Sequence, residues 1–156
     1  MSKAFQGFLL CSLLSVPFLG PSNAHAAGAM LVSETGACLD VRGGSTANRT
    51  PVQAFRCNAT FAQQWNFDGT TIRGIGTTNH FAMCVAVSGG GIADGTPVLM
   101  TFCNSSTAQL WVYDHGHLLN FASHKCLDIQ ALGRDGTPAT IQPCSFFSRG
   151  QFWTIQ

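Results

Sequence analysis

Residues 38–65 contain Cys38-Leu39-Asp40-Val41, then Thr50-Pro51-Val52, Cys57 and Gln63-Gln64-Trp65, and the same signature returns twice. The second copy is Cys84-Val85-Ala86-Val87, Gly95-Thr96-Pro97-Val98, Cys103 and Gln109-Leu110-Trp111. The third is Cys126-Leu127-Asp128-Ile129, Gly136-Thr137-Pro138-Ala139, Cys144 and Gln151-Phe152-Trp153. First Cys to second Cys takes 19, 19 and 18 residues, and second Cys to Trp takes 8, 8 and 9. All three Trp fall at equivalent places, which chance does not produce. A period of this length marks a solenoid, a propeller or a closed symmetric fold. Solenoid patterns are absent. Each copy instead shows short alternating strands (Leu39 and Val41, Val85 and Val87, Leu127 and Ile129), a Gly-rich turn, and a Thr-Pro that opens the next strand. Short strands separated by Gly, Asn and Pro predict an all-β fold. Threefold repetition favours a barrel with three lobes, the repeats covering about residues 30–74, 75–120 and 121–156.

The segment before the first repeat is of a different kind. Residues 1–26 carry one cation, Lys3, a short apolar run through Phe8-Leu9-Leu10 to Val16, breaks at Pro17, Gly20 and Pro21, and a terminal Ala24-His25-Ala26. This describes a secretory signal peptide cleaved after Ala26. The run is too short for a membrane helix, which needs about 20 residues. What remains, residues 27–156, is the size of one domain. Only 10% of the chain is charged, against roughly 25% in an average soluble protein. Without Lys3 the 8 Lys and Arg fall to 7 and balance the 7 Asp and Glu. Neutrality argues against nucleic acid, whose phosphates demand a basic surface, and against a polybasic membrane anchor. No second apolar run reaches membrane length, so no membrane insertion is expected. Six Cys follow the leader, an even number in an oxidising compartment, but six allow 15 connectivities.

Three Cys-(Leu/Val)-x-(Val/Ile) … Thr-Pro … Cys … Gln-x-Trp units resemble the ricin B-type lectins, a β-trefoil carbohydrate-binding family, over essentially all of residues 30–156. The resemblance implies twelve strands in three lobes, with Trp65, Trp111 and Trp153 in a shared core. The repeats then favour Cys38–Cys57, Cys84–Cys103 and Cys126–Cys144, the scheme that keeps threefold equivalence with local loops. Metal ligation is the competing use of these cysteines, but no Cys-x2-Cys spacing occurs.

Strand alternation places Cys38 and Asp40 on one face of a strand, and Gln53, Phe55 and Cys57 on one face of its partner. A Cys38–Cys57 bridge would bring those faces together. Asp40, Gln53 and Phe55 should then converge on a shallow surface where a carboxylate accepts from sugar hydroxyls, an amide donates and accepts, and a ring covers the apolar face of the sugar. Asp40 is expected on an exposed turn that contributes little to stability. The resemblance implies the same sugar-binding set with Gln63 added, although Ala62 stands where the family has an Asn. The second repeat has Ala86, Leu99, Thr101 and Ala108 at these positions and is expected to be inactive. The third keeps Asp128 and Gln151, with Thr140, Gln142 and Gly150 elsewhere, and is expected to bind more weakly. Phe146 or Phe147 would replace its missing ring. Because a Gln recurs with every Trp, its main role is expected to be structural.

Enzymatic readings find little support. The sequence has no Gly-x-Ser-x-Gly elbow, no His-Glu-x-x-His and no phosphate loop. The bridges leave no thiol nucleophile, and Asp40 and Asp128 lie in different repeats. His115, His117 and His124 are read as loop histidines with no metal, and no cofactor is expected. The sequence thus predicts a secreted, non-catalytic lectin for a galactose-type sugar or a polysaccharide. The alternative is a degenerate trefoil that serves as a protein-binding, toxin-like adaptor subunit or an inhibitor, alone or as an oligomer.

Overall fold

A computed structural model describes residues 28–74, 82–130 and 133–156. The expected leader (residues 1–26) and the expected start of the second repeat at residue 75 lie outside them. Twelve strands run through the described residues. The first repeat supplies β1 (Leu31–Ser33), β2 (Ala37–Val41), β3 (Thr50–Arg56) and β4 (Trp65–Phe67). The second lobe takes β5 (Ile72–Gly74), just ahead of the expected boundary at residue 75, with β6 (Met83–Val87), β7 (Val98–Phe102) and β8 (Trp111–Asp114). The third takes β9 (His117–Asn120), just ahead of the expected boundary at residue 121, with β10 (Lys125–Asp128), β11 (Thr140–Gln142) and β12 (Trp153–Ile155).

Six of the strands form a barrel. Antiparallel pairs β12–β1, β4–β5 and β8–β9 join one repeat to the next. Within each repeat, the first and last strands meet through the Trp backbone. The amides of Trp65, Trp111 and Trp153 donate to the carbonyls of Ala29, Thr70 and Gly116 at 2.7–2.8 Å. The other six strands form three hairpins, β2–β3, β6–β7 and β10–β11, whose registers are equivalent. Asp40 faces Gln53, Ala86 faces Leu99 and Asp128 faces Thr140. The hairpins meet one another at Thr50 with Met100, Gln53 with Pro138 and Pro97 with Thr140.

Apolar alternation explains the interior. Leu39, Val85 and Leu127 are fully buried beside the three Trp. Each indole N–H, which needs an acceptor when buried, donates to the carbonyl of one of these residues: Trp65 to Leu39, Trp111 to Val85 and Trp153 to Leu127, at 3.0–3.1 Å. The disulfides are Cys38–Cys57, Cys84–Cys103 and Cys126–Cys144, with Cα separations of 5.1, 5.0 and 5.0 Å.

One expectation is corrected. Alternation leaves one face of β2 to solvent, yet all five β2 residues are buried, and Asp40 is 5% exposed. The segment after Cys57, tied down by the disulfide, folds back over that face and brings Gln63 against Asp40. Asp40 is therefore a buried strand residue and not a solvated turn carboxylate.

Candidate functional site

In the first lobe the β2–β3 register sets Asp40 opposite Gln53, and Gln53 Nε2 donates to Asp40 Oδ1 at 2.9 Å. Gln63 Nε2 donates to Asp40 Oδ2 at 3.1 Å and to the Arg56 carbonyl at 2.9 Å, while its Oε1 accepts from the Asn58 amide at 2.8 Å. Gln63 is fully buried. It therefore acts on any ligand by orienting Asp40, in line with a mainly structural role for the recurring Gln. Arg42 extends the chain of contacts. Its Nε donates to Gln53 Oε1 at 2.9 Å and its Nη2 to the Gly136 carbonyl of the third lobe at 3.3 Å, which fixes which end of the Gln53 amide faces Asp40.

Burial pushes the Asp40 carboxyl above its ordinary value. The hydrogen bonds from Gln53 and Gln63 pull it down, and the nearby negative charge of Asp135 adds to the rise. Above this carboxylate lies an open depression of about 360 Å³. Asp40 and Gln53 line it together with Phe55, Asn58, Phe61 and Ala62. Phe55 carries the Arg56 guanidinium 5.4 Å from its ring centre, and Arg56 pairs with Asp135. The second ring, Phe61, is 56% exposed and was not singled out in the sequence. The available signal was its place just before the Ala62 position, where the other repeats have Thr107 and Arg149. Gly44, in the left-handed region with φ 60°, admits this ring. A Cβ there would lie 3.1 Å from Phe61.

The second lobe repeats the plan without the acid. Gln109 Nε2 donates to the Phe102 carbonyl and, in place of a carboxylate, to Thr101 Oγ1, both at 2.8 Å. An open depression of about 470 Å³ sits at the equivalent place.

The third lobe is drawn in on itself. Asp128 accepts from the Gln130 amide, from Ser148 Oγ at 3.3 Å and from Gln151 Nε2 at 2.8 Å. Gly150 approaches so closely that a Cβ there would lie 2.8 Å from Asp128 Oδ1. Gln151 is buried and also bonds the Pro143 carbonyl and the Ser145 amide, as Gln63 does in its own lobe. Thr140, opposite Asp128, leaves its buried Oγ1 without a partner. Gln142 is half-buried opposite Cys126, in the register position that Phe55 holds opposite Cys38. Phe146 packs edge-on against His117, and Phe147 is 97% exposed. His115 pairs with Asp114, while His117 packs on Phe152. Among the described residues no group of three His, Cys, Asp or Glu could hold a metal ion.

Three equivalent hairpins on a closed six-stranded barrel make the chain a β-trefoil. It belongs to the ricin-type β-trefoil lectin domain family, whose model matches residues 26–153. No curated protein matches it by sequence. Among solved structures it is similar to ThreeFoil, a designed 3-fold symmetric protein, with a TM-score of 0.72 and 22% identity over 81% of this chain and 96% of that one. The C-half of the earthworm R-type lectin, solved in complex with GalNAc, matches with a TM-score of 0.65 and 16% identity over 83% and 98%. A non-toxic homologue of type II RIPs from Momordica charantia (bitter gourd), in complex with α-methyl-D-galactoside, matches with a TM-score of 0.64 and 22% identity over 81% and 46%. The chain thus spans about half of the bitter-gourd protein, and likeness at these identities shows the fold alone.

Proposed function

We propose that this protein is a secreted, non-catalytic lectin whose first lobe holds a galactose-type sugar, free or as a unit of a polysaccharide. The observation that carries this reading is the Asp40 carboxylate at the floor of an open depression walled by Phe55 and Phe61. A carboxylate has about four lone-pair sites. The two amides occupy one on each oxygen, which leaves acceptors for two neighbouring hydroxyls, while the rings offer an apolar surface to the C–H face of the sugar. The galactoside and GalNAc in the bitter-gourd and earthworm complexes support the sugar class. Three disulfides favour an oxidising compartment, as the Ala24-His25-Ala26 cleavage signal does. Glycoside cleavage ordinarily takes two carboxyl groups that flank the bond, and Asp40 is the one acid among the described residues that line the depression.

A few hydrogen bonds in a shallow site give weak binding, with a Kd on the order of 1 mM, equivalent to about −4 kcal/mol. Useful avidity then comes from an oligomer or a multivalent glycan surface. The test is a calorimetric titration of the oxidised protein with α-methyl-D-galactoside, set beside Asp40→Asn. Millimolar binding that disappears in the variant is the expected result. Undiminished binding by Asp40→Asn sinks the first-lobe assignment. A wild type that binds nothing on a broad glycan array sinks the lectin reading in favour of protein contacts.

A further inference from the structure

Each hairpin is bonded by a loop from the preceding hairpin, and those loops are equivalent in their backbone bonds. Gly136 N–H donates to the Ala54 carbonyl, Gly95 to Ile141 and Arg49 to Met100, at 2.7–2.9 Å. Their φ angles are 84°, 77° and 69°, all left-handed. The loops beside the first and third lobes thus use glycine where glycine costs least, and the loop beside the second places an arginine in a conformation that penalises any residue with a Cβ. Backbone strain of this kind concentrates at functional positions.

The charges diverge at the same place. The residue before the glycine is Asp135 beside the first lobe and Asp94 beside the third, each paired with a cation, Arg56 and Lys125. Beside the second lobe it is Asn48. That lobe has also lost its floor acid, because Ala86 stands where Asp40 and Asp128 do. None of the described residues lining its 470 Å³ depression is acidic, and Arg49 is the one cation among them. The Arg49 side chain is exposed and has no ion pair or hydrogen bond among the described residues. The Asn48 amide and the hydroxyls of Ser106 and Thr107 line the same hollow and add further donors. This is a cradle of donors around one free guanidinium, with the repelling carboxylates removed.

We infer that the second lobe, expected from sequence to be inactive, is a separate site for an acidic saccharide, whose carboxylate or sulfate ester is bound by Arg49 and the hydroxyls rest on Asn48, Ser106 and Thr107. Guanidinium is suited to either anion, since its planar fork matches both in a two-point contact. This inference does not rest on the first-lobe reading, and the test separates the two.

The protein, labelled with 15N, is titrated with a galacturonic acid oligomer, with galactose 6-sulfate and with neutral α-methyl-D-galactoside, while the backbone amides of residues 104–109 are followed. One or both acidic sugars should shift those amides, in wild type and in Asp40→Asn alike, and the neutral sugar should not. A response to the uronate alone identifies a carboxylate ligand, and a response to the sulfated sugar alone identifies a sulfate ester. Arg49→Gly installs the residue that the other two lobes use, so its melting temperature should not fall, and Asn48→Asp puts an acid beside the guanidinium on an exposed side chain. Each should weaken the acidic sugar by roughly tenfold or more, the size of a lost charged hydrogen bond. Binding that is unchanged in both variants, that tracks Asp40, or that is as tight for the neutral sugar overturns the proposal. So does a failure of both acidic sugars to shift these amides.

Discussion

Replacing Asp40 with alanine should destabilise the fold as well as remove sugar binding, and the structure gives a magnitude. The carboxylate is 5% exposed and accepts one amide hydrogen from Gln53 and one from Gln63. Without it, each amide retains one unsatisfied donor, because the second Gln63 hydrogen is already committed to the Arg56 carbonyl. An orphaned buried donor costs about 1–3 kcal/mol. Two of them set a range of about 2–6 kcal/mol, and two opposing effects place the result near its lower end. Water can enter from the open depression, and the buried charge that raises the carboxyl above its ordinary value is itself relieved. A loss of about 2 kcal/mol lowers the midpoint of a domain this size by roughly 6–10 °C. The second lobe suggests a compensation. Ala86 already stands at the equivalent position there, and Gln109 bonds Thr101 Oγ1 instead. Phe55→Thr in the Asp40→Ala background should give Gln63 that alternative acceptor and recover part of the loss. Scanning calorimetry on wild type, single and double variants measures both steps. A single variant melting within about 1 °C of wild type, as expected of an exposed carboxylate, would show that the buried network does not hold this lobe.

The raised Asp40 carboxyl also predicts opposite pH trends for binding and for its share of stability. Sugar binding needs the ionised acceptor, so affinity should fall as pH drops through the raised native value, above the ordinary 3.8. In that same window the native state binds the proton more tightly than the unfolded chain, so this group makes the fold more stable as pH falls. Affinity by calorimetry and midpoints by denaturation, from pH 7 to pH 4, should diverge, and affinity independent of pH across that window counts against Asp40 as the acceptor. In the third lobe, Gly150→Ala should destabilise by about 1 kcal/mol or more through overpacking, because the new Cβ falls 2.8 Å from Asp128 Oδ1 and 3.2 Å from the Gln130 amide. Ala62→Gly, at the equivalent place in the first lobe, should cost less, and equal melting shifts for the two would mean that the third lobe is not tightly closed.

The framework was legible in the sequence because its determinants are local or covalent. The paired cysteines are 19, 19 and 18 residues apart in the three repeats, and Leu39 and Val41 alternate with Asp40 as a strand requires. Trp65, Trp111 and Trp153 recur in phase, so each donates its indole hydrogen to a carbonyl 26 residues earlier. Repetition turns such local signals into a closed barrel, since three copies of one hairpin can bury their apolar faces only against one another. What each lobe can do depended on side-chain contacts that the spacing of the motif does not encode, some inside a lobe and some between lobes. Asp40 and Asp128 occupy the same register position. One faces an open hollow, while the other is taken up by Ser148, Gln151 and the Gln130 amide, because Gly150 lets the last turn close in. Arg42 holds Gln53 while bracing on the Gly136 carbonyl of the third lobe. Arg49 lies in the first repeat but lines the hollow of the second. The sequence by itself determined the strands, the bridges and the threefold plan, whereas tertiary structure decided which carboxylate stays available and which charge faces each hollow, because those depend on how the turn after each second Cys folds back on its hairpin and on side chains that neighbouring lobes bring together.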